Sequence, residues 1–333
     1  MLQTIVDALP HPALILDFNY TIQCANAAAE KLFETELFGL DFVRIIRQPG
    51  AIECLSQAVK TGNLKSCELV LHLQTPRTYH ASAAALAGAG TQSILFTLID
   101  ISARIDAEKS RSTFVANVSH ELRSPLTSLM GIVETLQGPA RDDVRARDNF
   151  LGLMHGETQR MSRLVGDLLS LSKLEAKEHL PPVGEVDIPR LIRHIIAVLA
   201  ESKPDYKNRV DLNVPGDLPH IKGDRDELTE VFQNLIENAL KYSKPNTPVE
   251  VKIIQAEGTI KVTITDQGEG IAPEHLPRLT ERFYRVDKGR SRENGGTGLG
   301  LAITKHILNR HRGRLSIESK LGLGSIVSVT LLT

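Results

Sequence analysis

The sequence predicts a multidomain α+β protein in three parts, and three observations predict it. Short apolar runs alternate with turn residues up to about residue 100. From Ala103 to about Lys177 the apolar residues instead recur every three or four positions, which is the helical period. Beyond Pro181, Pro182 and Gly184, helical and strand-like runs alternate once more. These changes of period divide the chain into a mixed domain over 1–102, a helical hairpin over 103–179 and an α/β domain over 180–333. At 333 residues each part can bury a core of its own.

In the first part, Ala13-Leu-Ile-Leu-Asp17 and Thr21-Ile-Gln-Cys24 flank Phe18-Asn19-Tyr20, a hairpin signal, and Ala25 to Phe33 follows with a helical pattern. Glu68 to Leu73, Tyr79 to Leu86 and Ser93 to Ile99 then read as successive antiparallel strands, giving about five in all. This order, with the opening Ile5 to Asp17 and the ending Ile99-Asp-Ile-Ser102, resembles a PAS sensory domain. The resemblance implies signal input through this domain and the helix that leaves it. His11, His72 and His80 show no ligand spacing, so no haem or metal is expected there. Cys24, Cys54 and Cys67 lie far apart without a CxxC, which points to neither a zinc site nor a disulfide framework and fits a reduced, cytoplasmic setting.

The net charge of −1 provides no field that would draw the chain to nucleic acid or an anionic membrane. With no tryptophan and 4% aromatic residues, stacking surfaces for sugars or single strands are not expected. No apolar run approaches the ~20 residues of a spanning helix, so this chain is expected to carry no membrane span. A stimulus from outside the cell would have to arrive through a partner or a segment missing from this chain.

The central part contains Phe114-Val-Ala-Asn-Val-Ser-His-Glu-Leu-Arg-Ser-Pro-Leu-Thr127. Phe114, Val118, Leu122, Leu126, Leu129, Val133 and Leu136 trace one helical stripe, and His120 falls off it beside Glu121. An imidazole, with an ordinary pKa of about 6.5, carries a nucleophilic lone pair near neutral pH. Glu121 could accept a hydrogen bond from one ring nitrogen and leave the other free to attack phosphorus. Pro125 should bend the helix within a turn of the pair. Gly138-Pro139 ends this helix, and a second carries Leu151, Met154, Thr158, Met161, Val165 and Leu168 at the same period. A hairpin with one apolar seam cannot bury that seam alone, so two copies are expected to pair into a four-helix bundle as a homodimer.

The last part holds three polar or glycine-rich clusters. In Asn234-Leu-Ile-Glu-Asn238-Ala-Leu-Lys241-Tyr242, steps of four and three put Asn234, Asn238 and Lys241 on one helix face. An asparagine oxygen there suits Mg²⁺. In Thr265-Asp266-Gln-Gly268-Glu-Gly270-Ile271, a carboxylate could accept the exocyclic amine of adenine while the glycines let the backbone approach the ring. Gly295-Gly296-Thr-Gly298-Leu-Gly300 opens a helix whose exposed N–H groups could cradle phosphate. Between the last two lies a basic segment, Arg278 to Glu293, suited to a lid with Phe283 as its apolar anchor. No Walker loop and no HRD or DFG triplet occurs.

The string His120-Glu-Leu-Arg-Ser-Pro-Leu-Thr127 closely resembles the phospho-acceptor box of sensor histidine kinases. The three clusters and the lid, in that order, resemble the N, G1, F and G2 boxes of the ATP-binding α/β sandwich shared by histidine kinases, gyrase, chaperone and mismatch-repair ATPases. Gly322-Leu-Gly324-Ser325 fits a further glycine box. The resemblance implies ATP and Mg²⁺ as cofactors, with Asn238 as metal ligand and Asn234, Lys241 and Tyr242 around the phosphates. It makes Asp266 the adenine reader beside Gly268 and Gly270, gives Phe283, Arg285 and Lys288 to the lid, and gives Gly296, Gly298 and Gly300 to the phosphate loop. Ser124 stands where many relatives have threonine and keeps the hydroxyl that would orient water for dephosphorylation. The string Ile271 to Lys288 is especially similar to sensor kinases of the phosphate regulon, which implies a PhoB-like response regulator as partner.

The expected function is therefore autophosphorylation of His120 and transfer to an aspartate of a response regulator. A non-catalytic dimeric adaptor would have lost His120, Asn238, Asp266 or the glycines, all of which are present. A gyrase-like ATPase would need no histidine-glutamate pair on a helical hairpin.

Overall fold

The computed structural model describes every residue except 1, 74, 89–90, 178–179, 217, 257 and 287–295. It forms two compact units, 1–116 and 117–333.

In the first unit, alternation of apolar and turn residues produces an antiparallel sheet of order β2-β1-β5-β4-β3. Its strands are β1 (Ala13–Asp17), β2 (Ile22–Ala25), β3 (Lys65–His72), β4 (Pro76–Gly88) and β5 (Thr91–Asp100). Strands β1 and β2 meet as the hairpin expected from the sequence, and Tyr20 takes a positive φ of 65° at its turn. Helices α1 (Leu2–Asp7), α2 (Ala27–Phe33), α3 (Phe42–Ile45) and α4 (Pro49–Thr61) complete the unit. Phe42 and Phe96 meet edge to face at 4.9 Å in its core. Buried Asn26 caps α2 through Oδ1, which also accepts from the Ala13 N–H, and its amide donates to the carbonyls of Val6, Leu9 and His11. One fully satisfied side chain thus ties α1, β1 and α2 together.

Helix α5 (Ser102–Gln137) crosses from the first unit into the second, where α6 (Val144–Ala176) follows, N-capped by Asp143. The stripe that one chain buries is not the seam expected to pair with a second copy. The hairpin buries Pro125 and Ile132 on α5 and Arg160, Leu164, Leu171 and Leu174 on α6, while Leu126, Val133, Leu151 and Val165 stay exposed. The apolar residues of these helices cover more than one face, and a two-helix layer can bury only one.

The rest of the second unit is a sheet of order β11-β12-β10-β9-β7, antiparallel except for β7 beside β9. Its strands are β7 (Val210–Asn213), β9 (Val249–Ala256), β10 (Thr259–Asp266), β11 (Arg314–Lys320) and β12 (Gly324–Leu332), and the short β6 (Glu185–Val186) and β8 (Ile221–Lys222) pair separately. Helices α7 (Ile188–Ser202), α8 (Arg225–Tyr242) and α9 (Gly300–Arg310) cover it. Strand β10 alternates strictly, burying Ile260, Val262, Ile264 and then Asp266. A period of two therefore drives a carboxylate into the end of the apolar core. Among the described residues no helix is long and apolar enough to cross a membrane.

Candidate functional site

His120 and Glu121 lie midway along α5, which runs without interruption through Pro125. The imidazole is exposed, and Ser124, one turn on, is half-buried. The Glu121 carboxylate does not meet the imidazole beside it. Its Oε2 accepts from Arg160 Nη2 of α6 at 2.7 Å, because neighbouring helical residues diverge by about 100°. Arg160 is 8% exposed and sits in the buried stripe of α6, with Glu157 Oε2 a further 3.9 Å away.

The second constellation is built on the last turns of α8. Asn234 Nδ2 donates to the hydroxyl of buried Thr304 on α9 at 2.9 Å, and its Oδ1 accepts from Asn238 Nδ2 at 3.2 Å. That chain commits the Asn238 amide nitrogen inward and leaves its oxygen as the atom for a ligand, a hard donor that fits Mg²⁺. A Cβ on Gly300 would lie 2.4 Å from the Asn234 amide oxygen, so a side chain there would push the Asn234 amide out of this arrangement. Lys241 Nζ lies 4.9 Å over the ring of Tyr242, which is exposed.

The end of α8 meets the glycine turn after β10 through a bridge between Ser243 and Gly268. Asp266 Oδ1 accepts from the N–H groups of Gly268 at 2.8 Å and Ser325 at 3.2 Å. Burial holds the Asp266 carboxyl above its usual range, although these bonds pull it back. Gly270, at φ 72°, passes against the backbone of Lys320 and Leu321. The hairpin turn after β11 thus backs the glycine turn after β10, with Gly324 packed on the Asp266 carbonyl.

The Phe283 N–H donates to the Gly298 carbonyl at 2.8 Å, and Gly298, at φ 75°, has no room for a Cβ against the Phe283 backbone. The start of the basic segment is therefore anchored on the glycine loop at Phe283, with Arg285 half-buried beyond it. Lys288 lies outside the described residues. Between Gly296 and Gly298, the Thr297 hydroxyl donates to Asp167 Oδ2 of α6 at 2.6 Å. Nearby, Ser170 donates to both oxygens of Glu230 on α8 at 2.8 Å, and Glu175 pairs with Arg282. Burial raises both Asp167 and Glu230, the hydroxyls offsetting part of the shift.

The structure thus gathers Asn234, Asn238, Lys241, Tyr242, Asp266, Gly268, Gly270, Phe283, Gly298 and Gly300 around one end of α8. Among the described residues no hydrogen bond or ion pair joins His120 to them. Sequence reasoning did not single out Arg160, Asp167 or Thr304. Arg160 left a signal, a charge at the buried spacing of Leu164, Leu171 and Leu174. The other two hydrogen-bond across elements distant in sequence and left none.

Comparison with known proteins accords with this geometry. Residues 110–177 match the model of the His Kinase A (phospho-acceptor) domain, and residues 223–333 match that of the histidine kinase-, DNA gyrase B- and HSP90-like ATPase. A phospho-acceptor hairpin and an ATPase-type module in one chain define a protein-histidine kinase. The chain belongs to the sensor histidine kinases of two-component systems. It is 34% identical to the phosphate regulon sensor protein PhoR of Pseudomonas aeruginosa, over 97% of this chain and 74% of that protein. It is also 39% identical to the sensor protein kinase WalK of Staphylococcus aureus, over 70% of this chain and 56% of that one. The solved histidine kinase ThkA, in complex with the response regulator TrrA, shares the fold at a TM-score of 0.54 and 18% identity, over 99% of this chain and 97% of that one.

Proposed function

We propose that this kinase phosphorylates His120 from ATP·Mg²⁺ and passes the phosphoryl group to an aspartate of a PhoB-like response regulator in phosphate-starvation signalling. The observation that carries this reading is an exposed imidazole in the same chain as a helix end at which Asn238, the turn after Asp266 and the glycine loop meet. The likeness to PhoR supports the stimulus, and the ThkA–TrrA complex supports a docked regulator. We divide the chain for this purpose into a PAS-type input domain over 1–102, a dimerising hairpin over 103–179 and a nucleotide domain over 180–333. The sheet order of the first unit supports the PAS assignment.

Asp266 would accept the adenine amine through the oxygen not tied to the backbone, and Gly268 and Gly270 keep the ring's approach open. Asn238 Oδ1 would face Mg²⁺, with Asn234, Lys241, Tyr242 and the N–H groups of Gly296, Gly298 and Gly300 around the phosphates. The bound metal neutralises charge on the transferring group. Bringing the nucleotide against His120 can supply effective molarities on the order of 10⁵ to 10⁸ M, so domain placement gates the rate. Ser124 would orient water for dephosphorylation of the regulator.

Incubation with [γ-³²P]ATP is expected to leave acid-labile phosphate on the protein, and His120→Gln to abolish it while nucleotide still binds. Labelling that persists in His120→Gln overturns the reading. A second reading keeps the chemistry and changes the stimulus, favoured by the 39% identity to WalK. Phosphotransfer profiling against the regulators of the same cell separates the two, since only the first requires the phosphate-regulon regulator to be labelled fastest.

A further inference from the structure

The guanidinium of Arg160 occupies a place in the buried stripe of α6 that leucine fills at 164, 171 and 174. A buried ion pair is seldom a device for stability, because an apolar side chain of similar volume commonly does as well or better. The charge at this one position therefore needs another reason, and it lies beside the acceptor. Arg160 Nη2 holds Glu121 Oε2 at 2.7 Å, and Glu121 is the neighbour of His120 in the chain. Among the described residues, no hydrogen bond involves Glu121 Oε1 or the imidazole of His120.

We propose that Arg160 is a positioning residue for autophosphorylation, pinning one oxygen of Glu121 so that the other is presented to a ring N–H of His120. This inference rests on the reading of His120 as the phosphoryl acceptor. A carboxylate has lone pairs enough for both partners. Fixed at one oxygen by a donor from α6, Glu121 turns about a single anchored contact instead of sweeping through solvent. In the transfer step, one ring nitrogen forms the N–P bond as the P–O bond to ADP breaks and its electron pair leaves on the ADP oxygen. The other ring nitrogen keeps its proton, and Glu121 Oε1 accepts the hydrogen bond that steadies the positive ring. Glu157 Oε2 lies 3.9 Å from Arg160 Nη1, so the other guanidinium nitrogen faces a second carboxylate.

The test is a double-mutant cycle on the full chain, read as the rate of His120 labelling at saturating ATP. Arg160→Met should label at least about tenfold more slowly, with KM for ATP unchanged, since the group works through a hydrogen bond that stabilises the charge developing on the ring, a contact worth about a hundredfold or more when lost entirely. Glu121→Gln should be slower still, and Arg160→Met in the Glu121→Gln background should cost nothing further. Arg160→Lys, which retains charge but not the fork, should recover part of the rate. A wild-type rate in Arg160→Met, or losses that multiply in the double variant, overturns the proposal. If Arg160→Met does not fold, the same cycle run with Arg160→Lys decides by the same criterion. If His120→Gln still takes label, the acceptor assignment itself has failed; if it does not and Arg160→Met labels normally, only the present inference has.

Discussion

From residue 117 on, the acceptor hairpin lies in the same compact unit as the nucleotide module, yet the two are finished to different degrees. The module buries Ile188, Ile192, Leu228, Phe232, Ile236, Val251, Ile264 and Val329 almost completely between three helices and a sheet. The hairpin leaves Leu126, Met130, Leu151, Leu153 and Leu169 more than half exposed. At roughly 25 cal/mol per Å² of apolar surface, that exposed face is a substantial driving force without an intramolecular outlet. One region closes its core within the chain and the other leaves an apolar face open, so phosphoryl acceptance should depend on a second copy far more than nucleotide binding does.

The largest expected effect separates the two directly. Val133→Glu combined with Leu151→Glu should convert a dimer into monomers by light scattering and abolish labelling of His120, while ATP affinity by calorimetry stays within about twofold. A dimer that survives both glutamates would break the comparison. Next in size is a change confined to the module. Gly298→Ala forces a side chain onto a φ of 75° against the Phe283 backbone, a strain of about 1–3 kcal/mol, which should weaken ATP binding at least about fivefold without altering dimerisation.

A smaller effect probes the contact between the regions. The hydrogen bond from Thr297 to Asp167 occupies a hydroxyl of the glycine loop proposed to hold phosphate, so Asp167→Ala should tighten ATP binding by about two- to fivefold. Weaker binding would show that Asp167 supports the loop instead of competing for it.

The smallest effect is in the pH dependence of stability. Buried His311 accepts the Asp224 N–H, which starts α8, through Nε2 at 3.0 Å, and shares Nδ1–H with the Ile307 carbonyl. Burial lowers its pKa, and nearby Arg310 adds to this, while the Ile307 bond and the carboxylates of Glu227 and Asp224 oppose it. The folded state then binds this proton less readily than the unfolded chain. Stability should therefore fall as pH drops below about 6.5, and His311→Gln should flatten that slope in melting curves. Asp167, Glu230 and Asp266 have raised pKa values and act with the opposite sign, losing stability as pH rises just above the ordinary carboxylate range.

Much of this architecture could be read from local pattern. The strict alternation of β10 and the helical spacing of α8 depend only on which residues stand two or three to four apart, and the glycines at 298 and 324 sit where φ is positive. The short strands β6, β7 and β8 went unread because two to four residues carry too little period to register. Which face of α6 one chain covers went unread for a different reason. Its apolar residues occupy several faces, and periodicity cannot say which face a neighbour will cover.

The sequence by itself determined the histidine on a polar helix face, the carboxylate at the end of a core strand and the glycines that let backbones touch, since each follows from residue type and spacing along one element. Only the tertiary structure decided that Glu121 turns to Arg160, that Thr304 orients the asparagine pair and that Asp167 reaches the glycine loop. Those bonds join residues 39, 70 and 130 positions apart, and no local rule says which distant donors and acceptors will be pressed together once the apolar faces have closed.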